Sequence, residues 1–457
     1  MPGILKECKL KTIIYWFRND LRLTDNPAFS TACSLAKHIV PVYIHDETLE
    51  QATRWGVART SAHRQHFLSS ALAGLNAMLQ HKGNTLIVLR GNITEQLCTL
   101  ISTLEPTVGK CEIHCEKIAA PFEQDCVDQL RLAGVTVVET WQSSMLDFSQ
   151  LPFELDQVPD TFTTMRIQIE KHGLKARLTQ PVAERIPPLP NSLKDQAYTS
   201  INVSAPASET RNSAYPNALN SFPYSEPAYF GSEHAAQQHL QNYFSSQLPH
   251  TYKETRDQLS GIDYSTKFSP WLSLGSLSAP AIVEKLQHYE MEYGANKSTY
   301  WIWFELLWRD YFRLLHLKYG TLLYREKGIS TSAPSTNQTL DWSARDNEGF
   351  KKWCKGSTGS ALVDAAMHEL FSTGYLSNRL RQVVASFLIY DLNQDWRAGA
   401  AWFESQLVDY DVYSNQGNWL YIAGRGSDPR GGRRFNIQKQ THDHDPQGLY
   451  RTSWGGA

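Results

Sequence analysis

The pattern of apolar residues changes in kind along this chain, and that change limits the folds it can adopt. Up to about Trp141, short apolar runs alternate with helix-length polar segments, whereas beyond Ser232 helical periodicity dominates and strand patterns disappear. Strands that alternate with helices favour a parallel, doubly wound sheet. We therefore expect an N-terminal α/β domain and an all-α C-terminal domain.

The first part of the chain contains several runs typical of buried strands. They are TIIYWF, HIVPVYIH, TLIVLRG, CEIHCE and VTVVETW, and helical stretches such as 57–81 and 120–133 lie between them. The loop FRNDLRLTDNPAF follows the first of these strands, at the edge where open α/β sheets bind ligands. It has no G-x-G-x-x-G pattern, so it gives little support for a dinucleotide on this sheet.

Residues 142–232 are rich in Pro, Ser, Asn and Thr, which predicts a long connector over the surface, with one helix near 165–172. The expected division is therefore an α/β domain over 1–141, the connector over 142–232 and the helical domain over 233–457. Helices expected in the last part cover HAAQQHLQNYF, PAIVEKLQHYEMEY, STYWIWFELLWRDYFRLLHLKYG, LVDAAMHELFSTG and NRLRQVVASFLIYDL.

Composition narrows the class of protein. A formal net charge of −2 means that any nucleic-acid surface must be a local patch. Seven cysteines, an odd number in mostly apolar contexts, indicate reduced thiols of an intracellular protein rather than a disulfide framework, and we expect no metal site. No signal peptide or membrane span is apparent, so we expect a soluble, cytoplasmic protein.

The stretch from Asp395 to Arg434 combines a helix, carboxylates, tryptophans and arginines. The helix is expected to stop at a turn formed by Asp409, Asp411, Ser414, Asn415 and Gly417. Carboxylates between an apolar helix and aromatic residues are costly to bury alone, so they need a bound group with donors or an Arg or Lys partner. The arginines at 425, 430, 433 and 434 form either a phosphate-binding surface or a solvated loop.

Tyr252 and Arg256 precede the sequence STKFSP, which opens a short helical run at 265–270. Hydroxyls, backbone N–H groups and a lysine at a helix start can bind a phosphate or pyrophosphate. A simple capping motif is the alternative.

The segment WIWFELLWRDYF places Glu305, Trp308, Arg309 and Phe312 at helical spacings of three and four, so they share one face. An indole that stacks and charged groups that form hydrogen bonds could together bind a nucleic-acid base. An ordinary i,i+4 salt bridge between Glu305 and Arg309 is the alternative.

A third cluster joins Asn378, Arg379 and Arg381 to the carboxylates of Asp409 and Asp411 and the amide of Asn415. It could be an Arg–Asp pairing in an apolar core, or a polar clamp around a planar heterocycle. Taken together, a pyrophosphate site, a heterocycle clamp and a base-reading helix suggest a buried flavin dinucleotide beside a cavity that faces nucleic acid.

Several long motifs occur in the order found in one known family. They are IIYWFRNDLRLTDNPAF, STKFSPWLSLGSLS, FELLWRDYF, STGYLSNRLRQVVASFL, LVDYDVYSNQGNW with AGRGSDPR, and FNIQKQTHDHDPQGLY. In these motifs the chain resembles the photolyase/cryptochrome flavoproteins, and among them most closely the cryptochrome DASH branch. The resemblance extends over almost the whole sequence.

The resemblance implies a U-shaped FAD in the helical domain and an antenna chromophore, usually 5,10-methenyltetrahydrofolate, beside the α/β domain, where Glu116 is a candidate contact. It assigns to the FAD phosphates Tyr252, Ser265, Thr266, Lys267, Phe268 and Ser269. It places around the flavin and adenine Trp308, Arg381, Asp409, Asp411 and Asn415, with Asn415 at the ring nitrogen that is protonated on reduction. The residues that match the light-driven electron-transfer chain are Trp342, Trp396 and Trp419. Those expected to contact a DNA lesion or its mouth are Arg256, Glu305, Trp308, Asn378, Arg379 and Tyr421.

This sequence also departs from the family pattern. Ser357 stands where Lys or Arg is usual, Ser360-Ala361 where Tyr-Pro is usual, and Leu380 where DASH members usually have Gly. Tyr421 stands where bacterial double-strand photolyases have Trp. A weaker stacking wall would disfavour a lesion that must be flipped from a duplex, and would matter less in single strands.

The resemblance implies light-driven repair of cyclobutane pyrimidine dimers, chiefly in single-stranded DNA, by a monomer that transfers an electron from excited reduced FAD. The absence of a long tail after the core motifs favours this reading. A blue-light receptor that uses the same flavin photoreduction for signalling is the main alternative. A light-independent nucleotide-binding or nucleic-acid-binding module is the third.

Overall fold

The structure of the chain is a computed structural model. It describes residues 11–194, 215, 218–330, 347–426, 428 and 430–455. The strands are β1 (Lys11–Trp16), β2 (Ala36–His45), β3 (Ile87–Arg90), β4 (Cys111–Glu116) and β5 (Val137–Thr140). All of them fall within the runs predicted from the sequence or extend those runs by one or two residues.

These strands form one parallel sheet in the order β3-β2-β1-β4-β5. Its helices are α1 (Pro27–Leu35), α2 (Ala62–His81), α3 (Ile93–Val108) and α4 (Pro121–Leu132). Starting from β1, the chain winds outwards first to one edge and then to the other, which is the doubly wound arrangement of open α/β sheets. The predicted fold class of the N-terminal domain is confirmed.

The rest of the described chain is helical. Its helices are α5 (Phe162–Lys171), α6 (Asn191–Lys194), α7 (Glu233–Phe244), α8 (Leu248–Thr255), α9 (Ser269–Leu274), α10 (Ala279–Tyr293), α11 (Lys297–Tyr319), α12 (Glu348–Lys355), α13 (Ala361–Thr373), α14 (Asn378–Ser386), α15 (Trp396–Gln406), α16 (Val412–Ile422), α17 (Ile437–His444) and α18 (Leu449–Ser453). The all-α class predicted for this part is confirmed. None of the described helices is long and apolar enough to cross a membrane.

Two local predictions were wrong. The helix expected over 57–81 begins at Ala62, because the Arg59 N–H donates to the Leu49 carbonyl and the Arg59 guanidinium donates to Glu404 of the helical domain. The helix expected over NRLRQVVASFLIYDL is present, and its last part, Phe387–Asp391, is a π-helical turn.

The second error concerns the turn expected after α15. It occupies only 407–411, because the Asp411 side chain accepts the Ser414 N–H and so caps α16, which contains Asn415 and Gly417.

The loop after β1 is covered by the helical domain rather than open to a small ligand. The Leu21 N–H donates to the Leu274 carbonyl, and the Arg22 guanidinium donates to the Gly275 carbonyl. The buried Glu233 carboxylate, at the start of α7, accepts the N–H groups of Leu23 and Thr24. The ligand-binding edge of the sheet is therefore used to dock the two domains.

Gly275 is required at this interface, because it has a left-handed φ of 71° and an added Cβ would lie 1.9 Å from the Asn19 carbonyl oxygen. We expect Gly275→Ala to lower the free energy of unfolding in urea by about 2–4 kcal/mol, since strain and overpacking add. Gly83 is a matched control, with φ 79° and nothing within 4 Å of an added Cβ, so Gly83→Ala should cost only about 1 kcal/mol. Equal losses would contradict the close packing.

Candidate active site

A cavity of about 720 Å³ opens into the helical domain. Its lining includes residues of α8, the loop before α9, α11, α14 and the segment after α16. The volume lies in the range of roughly 300–1,000 Å³ usual for ligand pockets. The predicted FAD and DNA residues that line it are Tyr252, Arg256, Ser265, Thr266, Lys267, Phe268, Ser269, Glu305, Trp308, Asn378, Arg379, Arg381, Asp409 and Tyr421. Three clusters that are distant in the sequence therefore meet in one place.

Lys267 is the unusual group on the α9 side of this cavity. It is 1% exposed, has a left-handed φ of 56°, and its Nζ makes no hydrogen bond to the described residues. The ammonium instead lies 3.4 Å from the centroid of the Tyr264 ring and 4.9 Å from that of Tyr375. Burial lowers the pKa of Lys267 well below its usual range, while Glu369 opposes the shift. The cavity wall thus contains a buried amino group without an acidic hydrogen-bond partner among the described residues.

Arg381 and Asp409 form an ion pair across the cavity wall. The Arg381 Nη2 lies 3.0 and 2.9 Å from the two carboxylate oxygens of Asp409, and the Ser269 hydroxyl donates to the same carboxylate at 2.7 Å. The Arg–Asp pairing expected for this cluster is present, and because the pair also lines the cavity, the clamp around a planar heterocycle stays a prediction. The network joins α9 and α14 to the turn before α16.

Asp411 and Asn415 lie at a smaller cavity of about 80 Å³ that shares Arg381 and Asp409 with the larger one. Burial would raise the pKa of Asp411, but the Arg313 guanidinium, 2.7 Å away, more than offsets this and holds the pKa below its usual range. The Asn415 Nδ2 donates to the Ala400 carbonyl at 3.0 Å. That bond leaves the Asn415 Oδ1 as its free acceptor.

Glu305 pairs with Arg256 rather than with Arg309. The Arg256 Nη1 donates to the Glu305 Oε1 at 2.5 Å, whereas Arg309 donates to the carbonyls of Ser143 and Leu272. Burial raises the pKa of Glu305, and the Arg256 charge only partly opposes that shift. The protonated form of Glu305, which can donate a hydrogen bond, is therefore easier to reach than for a solvated carboxyl.

Trp308 forms one wall of the cavity mouth. Phe162, the first residue of α5, stacks flat on the Trp308 ring with centroids 3.8 Å apart and planes at 11°. The Tyr421 ring meets Trp308 edge-on at 5.7 Å, and the Tyr421 hydroxyl accepts a hydrogen bond from Arg433, which is paired with buried Asp428. Both rings are thus held from behind, and each lines the cavity.

The predicted electron-transfer residues are partly within the described structure. Trp419 is 2% exposed and lines the smaller cavity, with its ring against Gly399 of α15. Trp396 is the first residue of α15, about one turn before Gly399. It is 4% exposed and donates its Nε1–H to the Glu326 carbonyl. Trp342 lies outside the described residues. Of the two described residues only Trp419 lines a cavity, and the electron-transfer relay stays a prediction.

Glu116 lies apart from both cavities. It ends β4, is 1% exposed, and its Oε2 makes no hydrogen bond to the described residues. Burial raises its pKa to about 8, and the charged groups around it are Asp20, Arg22, Arg313 and Arg18. Its carboxyl therefore faces a buried charge cluster at the domain interface, and a contact with an antenna chromophore stays a prediction.

Sequence reasoning did not single out several residues of the site. Phe162 lies in the predicted connector, and its contact with Trp308 depends on how α5 docks on α11. Other residues of the lining without a predicted role include Lys253, Trp301, Phe304, Gln382, Asn418 and Phe435, and of the four arginines expected to bind phosphate or form a solvated loop, Arg433 lines the cavity. The sequence shows that the segments around 301 and 433 are aromatic and basic, but it does not show which of their side chains reach the cavity.

The positions at which this sequence departs from the family pattern lie in different parts of the structure. Leu380 lies on α14 and is fully buried in the core, and Ser357 is exposed after α12. Ser360 occupies the N-cap position of α13 without a side-chain cap, and Ala361 is the first residue of that helix. None of these four lines the main cavity.

The ion pair between Arg256 and Glu305 generates a pH prediction. We expect Arg256→Gln to raise the pKa of Glu305, because the charge that favours the carboxylate is removed while burial stays. A pH titration of the protonated carboxyl band by infrared spectroscopy measures this, with Glu305→Gln assigning the band. A titration midpoint that stays in place or falls in Arg256→Gln would show that the pair does not control the pKa.

Comparisons with known proteins identify both halves of this architecture. The family model described as DNA photolyase matches residues 13–188, and the model described as the FAD binding domain of DNA photolyase matches residues 301–455. The chain is 37% identical to cryptochrome DASH of Idiomarina loihiensis over 446 residues, which cover 97% of this chain and 92% of the relative. It is 40% identical to cryptochrome DASH of Synechocystis sp., covering 97% and 87% of the two chains.

Comparison with solved structures agrees with these family matches. The crystal structure of a Synechocystis sp. cryptochrome superposes with a TM-score of 0.83 at 37% identity, covering 97% of this chain and 88% of that one. A bacterial class III photolyase from Agrobacterium tumefaciens shares the fold, with a TM-score of 0.75 at 24% identity over 99% and 88% of the chains.

Proposed function

Because the chain belongs to the cryptochrome DASH family of photolyase-related proteins, we propose that it binds FAD and uses blue light to split cyclobutane pyrimidine dimers, preferentially in single-stranded DNA. The observation that carries this proposal is one cavity with two chemically different parts. Hydroxyls and cations line the part near α9, whereas Glu305, Trp308 and Tyr421 line the mouth.

The groups around the cavity fit a flavin dinucleotide. Lys267, with a buried Nζ that makes no hydrogen bond to the described residues, would face the pyrophosphate together with the hydroxyls of Ser265 and Thr266. A dianionic group would supply the negatively charged hydrogen-bond partner that Lys267 lacks among the described residues. Arg381 and Asp409 would lie beside the ring system, since they line both the larger and the smaller cavity.

The chemistry that FAD supplies when bound is light-driven donation of an electron to the dimer. The electron returns after the cyclobutane ring of the dimer has opened. Asn415 would accept a hydrogen bond from a ring N–H through Oδ1, because its Nδ2 is already bonded to the Ala400 carbonyl. Such an acceptor favours the reduced, protonated form of a flavin nitrogen over the oxidised form, which has no N–H there.

The dimer would enter through the mouth and lie against Trp308. Phe162 behind the indole and Arg433 behind Tyr421 limit the movement of both walls. Glu305, with its raised pKa, would donate a hydrogen bond to a dimer carbonyl and so stabilise the negative charge that develops there. These residues orient the lesion and exclude water from it.

The antenna belongs to the same proposal. We expect 5,10-methenyltetrahydrofolate beside the α/β domain, as implied by the family resemblance. Mass analysis of chromophores extracted from the purified protein tests both cofactors in one experiment. A colourless protein after gentle purification would contradict the flavin and would favour a light-independent binding module.

Repair itself is tested with oligothymidine that contains a dimer, illuminated as a single strand and as a duplex. We expect thymine to be restored much faster in the single strand, and Glu305→Ala to lower that rate about tenfold while FAD is retained, because one hydrogen bond to developing charge is lost. Chromatography of digested DNA measures the products. Photoreduction without repair of either substrate would favour the receptor function.

The role of Trp396 separates photoreduction from repair. We expect Trp396→Phe to slow light-driven reduction of oxidised flavin by at least about tenfold, because phenylalanine is much harder to oxidise than tryptophan, while repair by chemically reduced enzyme stays nearly unchanged. Absorbance changes under blue light measure the first rate. Equal loss of both activities would contradict the relay role.

A further inference from the structure

An aromatic surface continues outwards from the cavity mouth along α11. Trp301 and Phe304, which we call the aromatic strip, have ring centroids 4.4 Å apart, and both line the cavity. Both side chains are partly exposed. The large indoles of Trp271 and Trp353 are fully buried in the core, so Trp301 is not simply one more core residue.

Cations lie over the strip from the two helices that flank it. On the α8 side, the Arg256 guanidinium is 4.6 Å and the Lys253 ammonium 5.8 Å from the Trp301 ring centroid. On the α5 side, the Arg166 guanidinium is 5.9 Å from the Phe304 centroid. Lys253 is exposed and its ammonium faces the Trp301 ring, which leaves its charge available to a ligand.

We propose that the aromatic strip, with Lys253 beside it, is a second DNA subsite that stacks an unpaired base next to the dimer and binds the adjoining phosphate. This inference rests on the proposed function, because it assigns to the strip the nucleotide that follows the dimer out of the cavity. Exposed aromatic rings interleaved with cations are the usual surface for single-stranded nucleic acid, since every base has a π-face.

The strip also gives a physical reason for a preference between single and double strands. A base in a duplex is already stacked and paired, so it must be unpaired before it can reach Trp301, which costs free energy. A base in a single strand is already unpaired, so it gains the contact with Trp301 at a lower cost in free energy. The subsite therefore favours single strands even when the dimer itself is bound equally well in both.

The test uses the full-length, FAD-loaded protein and fluorescent oligothymidine of about sixteen nucleotides, at the upper end of the usual site size. We expect Trp301→Ala to weaken binding of this undamaged single strand about five- to hundredfold, with no change in the slope of affinity against salt, because stacking releases no counterions. Trp301→Phe keeps a ring and should restore most of the affinity.

Lys253→Gln provides an independent measurement, since an exposed lysine can be replaced without loss of folding. We expect the salt slope to fall by about 0.7, the contribution of one phosphate contact on a single strand. Tyr293→Ala is the matched control, because Tyr293 is an aromatic residue 50% exposed on α10 and outside the cavity lining. Its affinity for oligothymidine should equal that of the unchanged protein.

The outcomes separate this inference from the proposed function. If Trp301→Ala binds oligothymidine like Tyr293→Ala, or weakens a dimer-containing duplex as much as the single strand, the subsite is overturned even where repair is observed. An unchanged salt slope in Lys253→Gln also overturns it. If no repair is found but Trp301→Ala still loses single-strand binding selectively, the repair function fails and the strip stands as a single-strand site.

Discussion

The buried carboxylate of Asp310, midway along α11, fixes the rotation of this helix about its own axis. It accepts the backbone N–H groups of Met145 and Leu146 at 3.1 and 2.9 Å. Arg313, one turn on, is bonded to Asp411 at 2.7 Å and is 2% exposed. Removing one partner of a buried ion pair costs about 3–5 kcal/mol, so rotating α11 is prohibitively unfavourable. Since Glu305 lies on another face of the same helix, this interface also determines what points into the cavity.

The cavity is held open by charges that are paired with each other before any ligand binds. Arg381 is satisfied by Asp409, and Glu305 by Arg256. Lys267 differs, because its neighbours are the rings of Tyr264 and Tyr375. A site with fixed ion pairs and one buried amino group without an acidic partner changes little in shape when an anionic cofactor arrives, and the cofactor supplies that partner.

Much of the fold followed from local patterns. Strand and helix bounds were close because apolar periodicity reports which face is buried, whatever the partner. The errors occurred where a partner distant in sequence decided the outcome. Gly417 suits a turn, yet it lies in α16, where its missing Cβ leaves room for the Phe312 ring. Arg309 was spaced to pair with Glu305, but the carbonyls of Ser143 and Leu272 hold it.

The sequence by itself determined the two fold classes and the chemical character of the site, because side-chain types and their periodicity are local properties. It also carried the motifs that identify the family. Only the tertiary structure decided that Phe162 backs Trp308, that Arg256 takes Glu305, and that Trp301 meets cations from α8. These contacts join residues from 45 to 146 positions apart, and packing of whole helices, rather than any short pattern, brings such groups together.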